Sequence, residues 1–461
     1  MPTNINVGVN DSKGHNPAAY RVNEITLTNH TGRVIDISAI VTDFTITESL
    51  YRQFLMLELS VADKVNLFEE YQLSGQETIF VSVSRWEFDP DEYPENSELK
   101  EITVSHTFIA TEYPLFAKSG NTRQQAYKIR GVSRHAFLAK FKKVSKSYTD
   151  NAINVVKNIL TEDLAYDPTK IYVSDAGSRS LSIVIPYMDP LEAINWVLRR
   201  SFDQNSAPIY CYETLFYKMV IESHSDLVST ENSAHRSFTE GKFFSYPSEE
   251  GSLEYYRQQL GRILKIGSEL KMSKLSSGAA GAFSSTTDYV DIAKKTYTSD
   301  IFDYDQMFGE MVWFENGKTL STEFRPERSL NEYYESRINR IPLNTLAFSE
   351  NGSKQNYHDS ATGNNLNKAI SYLENSDTMT HDLLVYGDLT LTSGMTVELN
   401  MTKSVDPTLR VEGDVAKSGP ERDEFLSGTY LVTGIKHNFS KEYFCEIRIK
   451  RDTYTYDLSE F

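Results

Sequence analysis

Four adjacent residues, Ser223, His224, Ser225 and Asp226, bring together the side chains of a nucleophilic hydrolase. A serine is activated when an imidazole takes its proton and a carboxylate orients that imidazole. Such a triad is assembled from separate elements, because neighbours on a strand point to opposite faces. The run therefore reads as a turn ending the strand that reaches Ile221, and no Gly-x-Ser-x-Gly elbow occurs. Ser273 to Thr287 contains glycines but lacks the Gly-Lys-Ser/Thr ending of a phosphate loop, and reads as a flexible low-complexity segment. The nine histidines are scattered, with no i, i+4 pair and no zinc-ligand spacing. A glycosidase needs one carboxyl in an apolar pocket and a second about 5 to 9 Å away, and no Asp or Glu stands apart from the surface pattern. No catalytic, metal-binding or cofactor-binding residue is expected, and no enzyme activity.

Composition narrows the class. The chain has 461 residues, with 64 acidic and 47 basic side chains and a formal charge of -17. That balance argues against gripping nucleic acid, which relies on clustered Lys and Arg, but suits an acidic wall along which phosphates slide. Twenty-eight Tyr and 24 Phe tilt the chain toward strands. Cys211 and Cys445 lie far apart in apolar or alternating stretches and read as buried free thiols. With no leader-like start and no run of about 18 apolar residues, folding in a cytoplasm is expected.

The elements follow from periodicity. Residues 1–20 read as a flexible arm. Residues 21–133 read as a small antiparallel β-barrel, with Leu55, Leu57, Leu59 and Val61 at period two. Its acidic, Pro-broken segment Glu87 to Glu95 reads as a solvated hairpin loop. Residues 134–208 read as a small α+β domain, where Thr149 or Asp150 can cap one helix and Asp189-Pro190-Leu191-Glu192 starts another. A second barrel begins over 209–250, is interrupted by an inserted domain at 251–380, and finishes over 381–461. Helical spacing returns inside the insertion from Asn364 to Glu374.

Two stretches repeat one pattern. Gly75 precedes Ile79, Val81 and Val83, followed later by Thr107-Phe108-Ile109-Ala110-Thr111. Gly394 precedes Val397, Leu399 and Met401, followed by Thr429-Tyr430-Leu431-Val432-Thr433. A further strand completes each copy, with Tyr127 and Ile129 in one and Ile447 and Ile449 in the other. The expected class is α+β and β-rich, with two tube-type barrels related by pseudo-symmetry. The strands of Ile79, Val81, Val83, Phe108, Ile109, Val397, Leu399, Met401, Tyr430 and Leu431 are the candidates for forming a ring.

The same residues carry a resemblance. Val41-Thr42-Asp43-Phe44-Thr45-Ile46 with Glu48-Ser49-Leu50-Tyr51, Leu73-Ser74-Gly75 before Ile79 to Val83, Tyr187 to Ile194, Leu389 to Val397 and the hairpin Gly428 to Arg451 resemble, in that order, the baseplate central hub protein of T-even-type contractile-tailed phages. The match is weakest over 251–363. The resemblance implies a homotrimer whose two tube-type barrels per chain make a pseudo-sixfold ring in the virion's tail baseplate. Its implied partners are a hexameric tail tube or tube initiator, a trimeric central spike and a tape measure protein, with DNA in transit through the lumen. In that group a lysozyme domain belongs to the spike, not the hub.

Two other readings compete. Trp86, Tyr93 and Trp313 could stack on sugars in a carbohydrate- or receptor-binding module, though core or interface roles also suit them. A cell-wall hydrolase on a barrel scaffold is the second.

Overall fold

Period-two alternation of Val, Ile, Leu and aromatic residues makes strands that each bury one face, and most of the fold is built from them. The structure is a computed structural model and describes residues 16–88, 99–114, 116–118, 125–174, 180–216, 218–229, 236–240, 253–269, 274–292, 295–315, 317–320, 323–325, 328–329, 337–343, 365–403 and 422–455.

In chain order the first strands are β1 (Arg21–Thr28), β2 (Val34–Asp36), β3 (Val41–Ser49), β4 (Met56–Asp63), β5 (Thr78–Phe88), β6 (Leu99–Glu112), β7 (Phe116–Lys118) and β8 (Gln125–Ser133). They are neighbours in the order β2-β1-β5-β6-β8-β4-β3, with β7 continuing β6 along β8. The next five are β9 (Ser147–Asn151), β10 (Ile171–Val173), β11 (Ser180–Val184), β12 (Ile209–Thr214) and β13 (Lys218–Ser223). They make two small sheets, β11-β9 and β10-β13-β12, around the helices Ala152–Asn158 and Pro190–Leu198. These elements share a core of Val155, Val156, Ile159, Leu181, Ile194 and Ile221. Fully burying each such side chain stabilises by about 1.5–3 kcal/mol.

Then come β14 (Arg236–Glu240), β15 (Arg262–Glu269), β16 (Ser284–Asp291), β17 (Thr296–Asp303), β18 (Glu323–Arg325), β19 (Arg328–Ser329), β20 (Ile338–Leu343), β21 (Met379–Tyr386), β22 (Thr396–Asn400), β23 (Gly428–Phe439) and β24 (Tyr443–Arg451). Six of these close on themselves in the order β23-β22-β14-β15-β21-β24-β23, a six-stranded barrel whose β14–β15 closure spans only Arg262 and Ile263 of β15. Strands β16 to β20 form separate small sheets between β15 and β21.

Several expectations change. Residues 209–223, expected as the opening strands of the second barrel, pair with each other and with β10 instead. The barrel takes β14 and β15, the latter from within the stretch expected as an insertion. Alternation marks a strand without naming its partner, so membership was decided by long-range packing. The flexible segment expected at 273–287 holds the helix Lys274–Ala280 and the first half of β16, and between them Ala282 and Phe283 are buried against Tyr304. From the expected arm, Ala18 and Tyr20 are buried, with Tyr20 packed on Phe439 and Tyr443; residues 1–15 lie outside the described residues. Asn151, rather than Thr149 or Asp150, caps the first helix by accepting from Asn154 N, because β9 runs through Asn151 and the helix starts at Ala152. Asp189 caps the second as its sequence suggests, accepting from Glu192 N with Pro190 in the first turn.

Candidate functional site

The most unusual feature of the molecule is the seam between its two six-strand sets. On its β24-distal side β23 pairs first with β22 and then, from Gly434 to Phe439, with β3. One continuous sheet therefore runs from β1 through β24, and main-chain hydrogen bonds join what would otherwise be two domains. Phe44 and Phe439, opposite one another in that ladder, stack with centroids 4.5 Å apart and planes 16° apart. Tyr443 stacks on the other face of the group, 4.3 Å from Phe439.

A buried charge pair locks the seam. Glu48 on β3 is 1% exposed; its Oε1 faces His437 Nε2 at 3.3 Å across the ladder. The carboxylate also accepts from Leu215 N at 3.0 Å and Ser393 N at 3.3 Å, tying in the turn before β22. Burial pushes the His437 imidazole down, but the Cys445 sulfur and the Glu48 carboxylate outweigh it and hold its pKa up at about 10. The seam therefore favours the charged imidazolium over the neutral ring.

The two strand sets also share register. Ile79 lies opposite Phe108, and Val397 opposite Tyr430. The ladder of β6 with β8 shifts between Ala110 and Glu112, and that of β23 with β24 between Val432 and Gly434. The ladder of β3 with β4 shifts between Val41 and Asp43, and that of β15 with β21 between Ile263 and Lys265. A β-bulge re-aims a strand, so bulges at matching positions bend both sets alike. Glu58 pairs with Arg130 across β4 and β8, and Asp382 with Arg448 across β21 and β24. Gly75 and Gly394, before β5 and β22, have φ of +90° and +89°, a region other residues enter only with strain. One pairing differs: β1 runs antiparallel to β5, whereas β14 runs parallel to β22.

The outer face of this sheet alternates signs. Glu58 is held below the usual carboxylate range by hydrogen bonds from Lys128 and then Arg130, and Asp382 by Arg448. Lys436 pairs with Glu446 at 3.8 Å and Lys450 with Asp377 at 2.5 Å. Of these, Asp382, Lys436, Glu446, Arg448 and Lys450 line a shallow groove of about 720 Å³ across β3, β23, β24, β21 and β15. The face is a lattice of paired charges rather than the uniform acidic wall that the net charge suggests.

No protein-family model matches the chain, and no curated protein matches its sequence. Its fold is similar to solved tail proteins. A tail protein from Neisseria meningitidis is 12% identical, with 95% of this chain and 98% of that one covered and a TM-score of 0.49. A 43 kDa prophage tail protein from Shewanella oneidensis is 11% identical over 94% and 99% of the two chains, at 0.49. A prophage tail protein from Listeria monocytogenes is 8% identical over 93% and 95%, at 0.43.

All ten residues singled out for ring formation are buried within the single chain. Ile79, Val81, Val83, Phe108, Val397, Leu399, Met401 and Tyr430 share one core cluster, Leu431 packs with Leu50 and Tyr212, and Ile109 is 7% exposed. They shape the strands from inside, so any ring contact falls to backbone edges and outward side chains. The seam residues Glu48 and His437 escaped sequence reasoning; a charge at an inward position of a strand was the available signal.

The hydrolase-like run is structural. Ser223 caps the helix His224–Val228, accepting from Asp226 N and donating to Asp226 Oδ2. His224 turns the other way, toward Asp452 at 3.5 Å and the ring of Tyr372. Trp313 is stacked on Phe308 inside the region between β15 and β21 and donates to Phe308 O, which removes it as a sugar platform. Trp86 is 37% exposed; Tyr93 and most of the acidic loop lie outside the described residues. Among the described residues no group of three His, Cys, Asp or Glu side chains could hold a metal ion. Both cysteines are buried free thiols, with burial pushing Cys211 up to about 12.

Proposed function

We propose that this chain is a structural hub of a contractile tail. Three copies would form a ring of six similar strand sets that joins a sixfold tube to a threefold spike and leaves a lumen for DNA. The single observation that carries this reading is the internal repeat of neighbour order, bulge position and cross-strand ion pair, fused into one continuous sheet through β3 and β23. A chain holding two such units supplies three or six equivalent positions depending on the partner, which is what a symmetry adaptor requires. The sequence resemblance to T-even baseplate hubs points the same way.

On this reading β1, β3, β4, β5, β6 and β8 are a pseudo-symmetric counterpart of the closed barrel, and Phe108 and Tyr430 stand about 60° apart around the ring axis. The outer sheet face is the candidate lumen wall. Its Lys436, Arg448 and Lys450 are already paired with carboxylates, so a passing phosphate meets fewer cations able to release counterions and bind it. The regions around β9 to β13 and β16 to β20 remain for the spike and other partners.

Mass measurement in solution tests the proposal. Light scattering should give three times the 52.5 kDa chain mass; a monomer at high concentration would overturn it. Tight DNA binding at physiological salt would contradict the lumen assignment.

A further inference from the structure

We infer that the contact closing the ring is a second copy of the seam, formed when β15 of one chain pairs antiparallel with the β6–β7 edge of the next. This rests on the ring reading above and adds which edges meet and in what register.

The shared register supplies the correspondence. Strand β3 matches β15 through their bulges, with Val41 against Ile263, Asp43 against Lys265, Phe44 against Ile266 and Thr45 against Gly267. Strand β23 matches β6 at the Val432 and Ala110 bulges. Past that bulge β7 continues along β8, with Phe116 opposite Tyr127, where β23 has His437 opposite Cys445. The intrachain seam pairs His437 with Ile46, Asn438 with Thr45 and Phe439 with Phe44. Carried over, it pairs Phe116 with Ser268, Ala117 with Gly267 and Lys118 with Ile266 of the neighbouring chain.

Both edges are open to receive it. Strand β14 contacts β15 only at Arg262 and Ile263, so from Lys265 to Glu269 the described residues of β15 have β21 as their one ladder partner. Lys265, Gly267, Ser268 and Glu269 are exposed, and Ile266 is half-buried where its β3 counterpart Phe44 is fully buried. Strand β7 likewise pairs only with β8 among the described residues. Open strand edges are usually blunted or covered, because their unpaired N–H and C=O groups recruit other strands. The contact is heterologous and uses a different edge on each side, so successive copies add head to tail and close after three if each seam turns the sheet equally.

Paired cysteines test the register. Residues 117 and 267 are exposed, and a Cβ on Gly267 meets nothing nearer than Asp382 O at 3.9 Å, so Ala117→Cys/Gly267→Cys should fold. The native cysteines are buried and should stay unreactive. With a short bismaleimide the double variant should give covalent dimers and a closed covalent trimer on a denaturing gel. Phe116→Cys/Ser268→Cys, one step along the same register, should do the same and guards against misfolding of the first pair. The comparison pair is Val34→Cys/Gly267→Cys, since Val34 lies on the other open strand, β2. A trimer by mass that cross-links through 34 and 267, or through none of these pairs, overturns this register and leaves the ring intact. A monomer by mass overturns both.

Discussion

Removing the carboxylate of Glu48 is the sharpest test of the seam. Glu48→Gln keeps the size and one acceptor oxygen, so the N–H groups of Leu215 and Ser393 retain partial satisfaction. What is lost is the negative partner of a fully buried imidazolium, and breaking a buried pair from one side costs about 3–5 kcal/mol. The Cys445 sulfur beside His437 Nδ1 remains as partial compensation, which puts the expected loss at neutral pH near the lower end, about 3 kcal/mol. The sign with pH follows from linkage. The His437 pKa is raised in the fold from 6.5 to about 10, so its contribution is fully present below pH 6.5 and is lost as pH rises through 10. The variant holds a neutral or less basic imidazole, so its deficit against the native chain should be fullest at about pH 6.5, still large at pH 7, and shrink as pH rises through 10. Urea unfolding of both chains at several pH values reads the difference directly and cancels lysine and tyrosine titrations common to both. A deficit under about 0.5 kcal/mol at pH 7, or one that stays constant from pH 7 to 11, would refute the charged seam.

Other outcomes follow from the same geometry. Phe439→Ala removes a ring packed against Phe44, Tyr20 and Tyr443 and should cost about 3–5 kcal/mol in urea unfolding. Gly75→Ala and Gly394→Ala carry the same backbone strain, about 1–2 kcal/mol, but only the second collides, its Cβ falling 1.9 Å from Tyr212 Oη; soluble yield and stability should therefore drop far more for Gly394→Ala. Asp382→Asn breaks an exposed bidentate pair with Arg448 and should shift stability by less than about 1 kcal/mol, with the shift fading at high salt.

The repeat was legible because its signals are local. A glycine at positive φ, alternating apolar residues and a Thr-flanked strand recur in both stretches, and the ladders set Ile79 opposite Phe108 and Val397 opposite Tyr430. The third strand of each copy shows how that information runs out. Tyr127 and Ile129 were set beside Ile447 and Ile449, whereas the ladders place Ile129 opposite Leu59 and Ile447 opposite Leu383, the equivalent rung, so the true offset differs by two residues. A slip of two preserves the inward face and leaves the alternation unchanged, so periodicity has no power against it. Partner choice was likewise hidden. Cys211 and Ile221 alternate as well as Leu383 and Val385 do, yet pack on the helices 152–158 and 190–198. Glu48 was visible as a residue but not as a site, since its meaning depends on His437, 389 positions away.

The placement of the extra domains bears on how one ring could meet partners of two symmetries. In the six adjacent strands, the rung Val132–Met56–Thr47 of β8, β4 and β3 and the rung Leu431–Lys450–Thr380 of β23, β24 and β21 lie toward one end of the sheet. From that end leave the chain to β9, the long excursion between β15 and β21, and the segment after β24 that hydrogen-bonds to Phe314 and Glu315. The two excursions are unlike each other, so in a trimer this end repeats only three times. The opposite end carries short connections, among them those from β4 to β5 and from β21 to β22, which contain Gly75 and Gly394 at the same φ. That end offers similar turns from both strand sets and approximates sixfold repetition. On the proposed hub reading, the short-turn end suits a hexameric tube and the domain-bearing end a trimeric partner. Electron microscopy of the ring bound to a tube would show which end is occupied, and a tube seated among the β9–β13 domains would contradict this account of the adaptor.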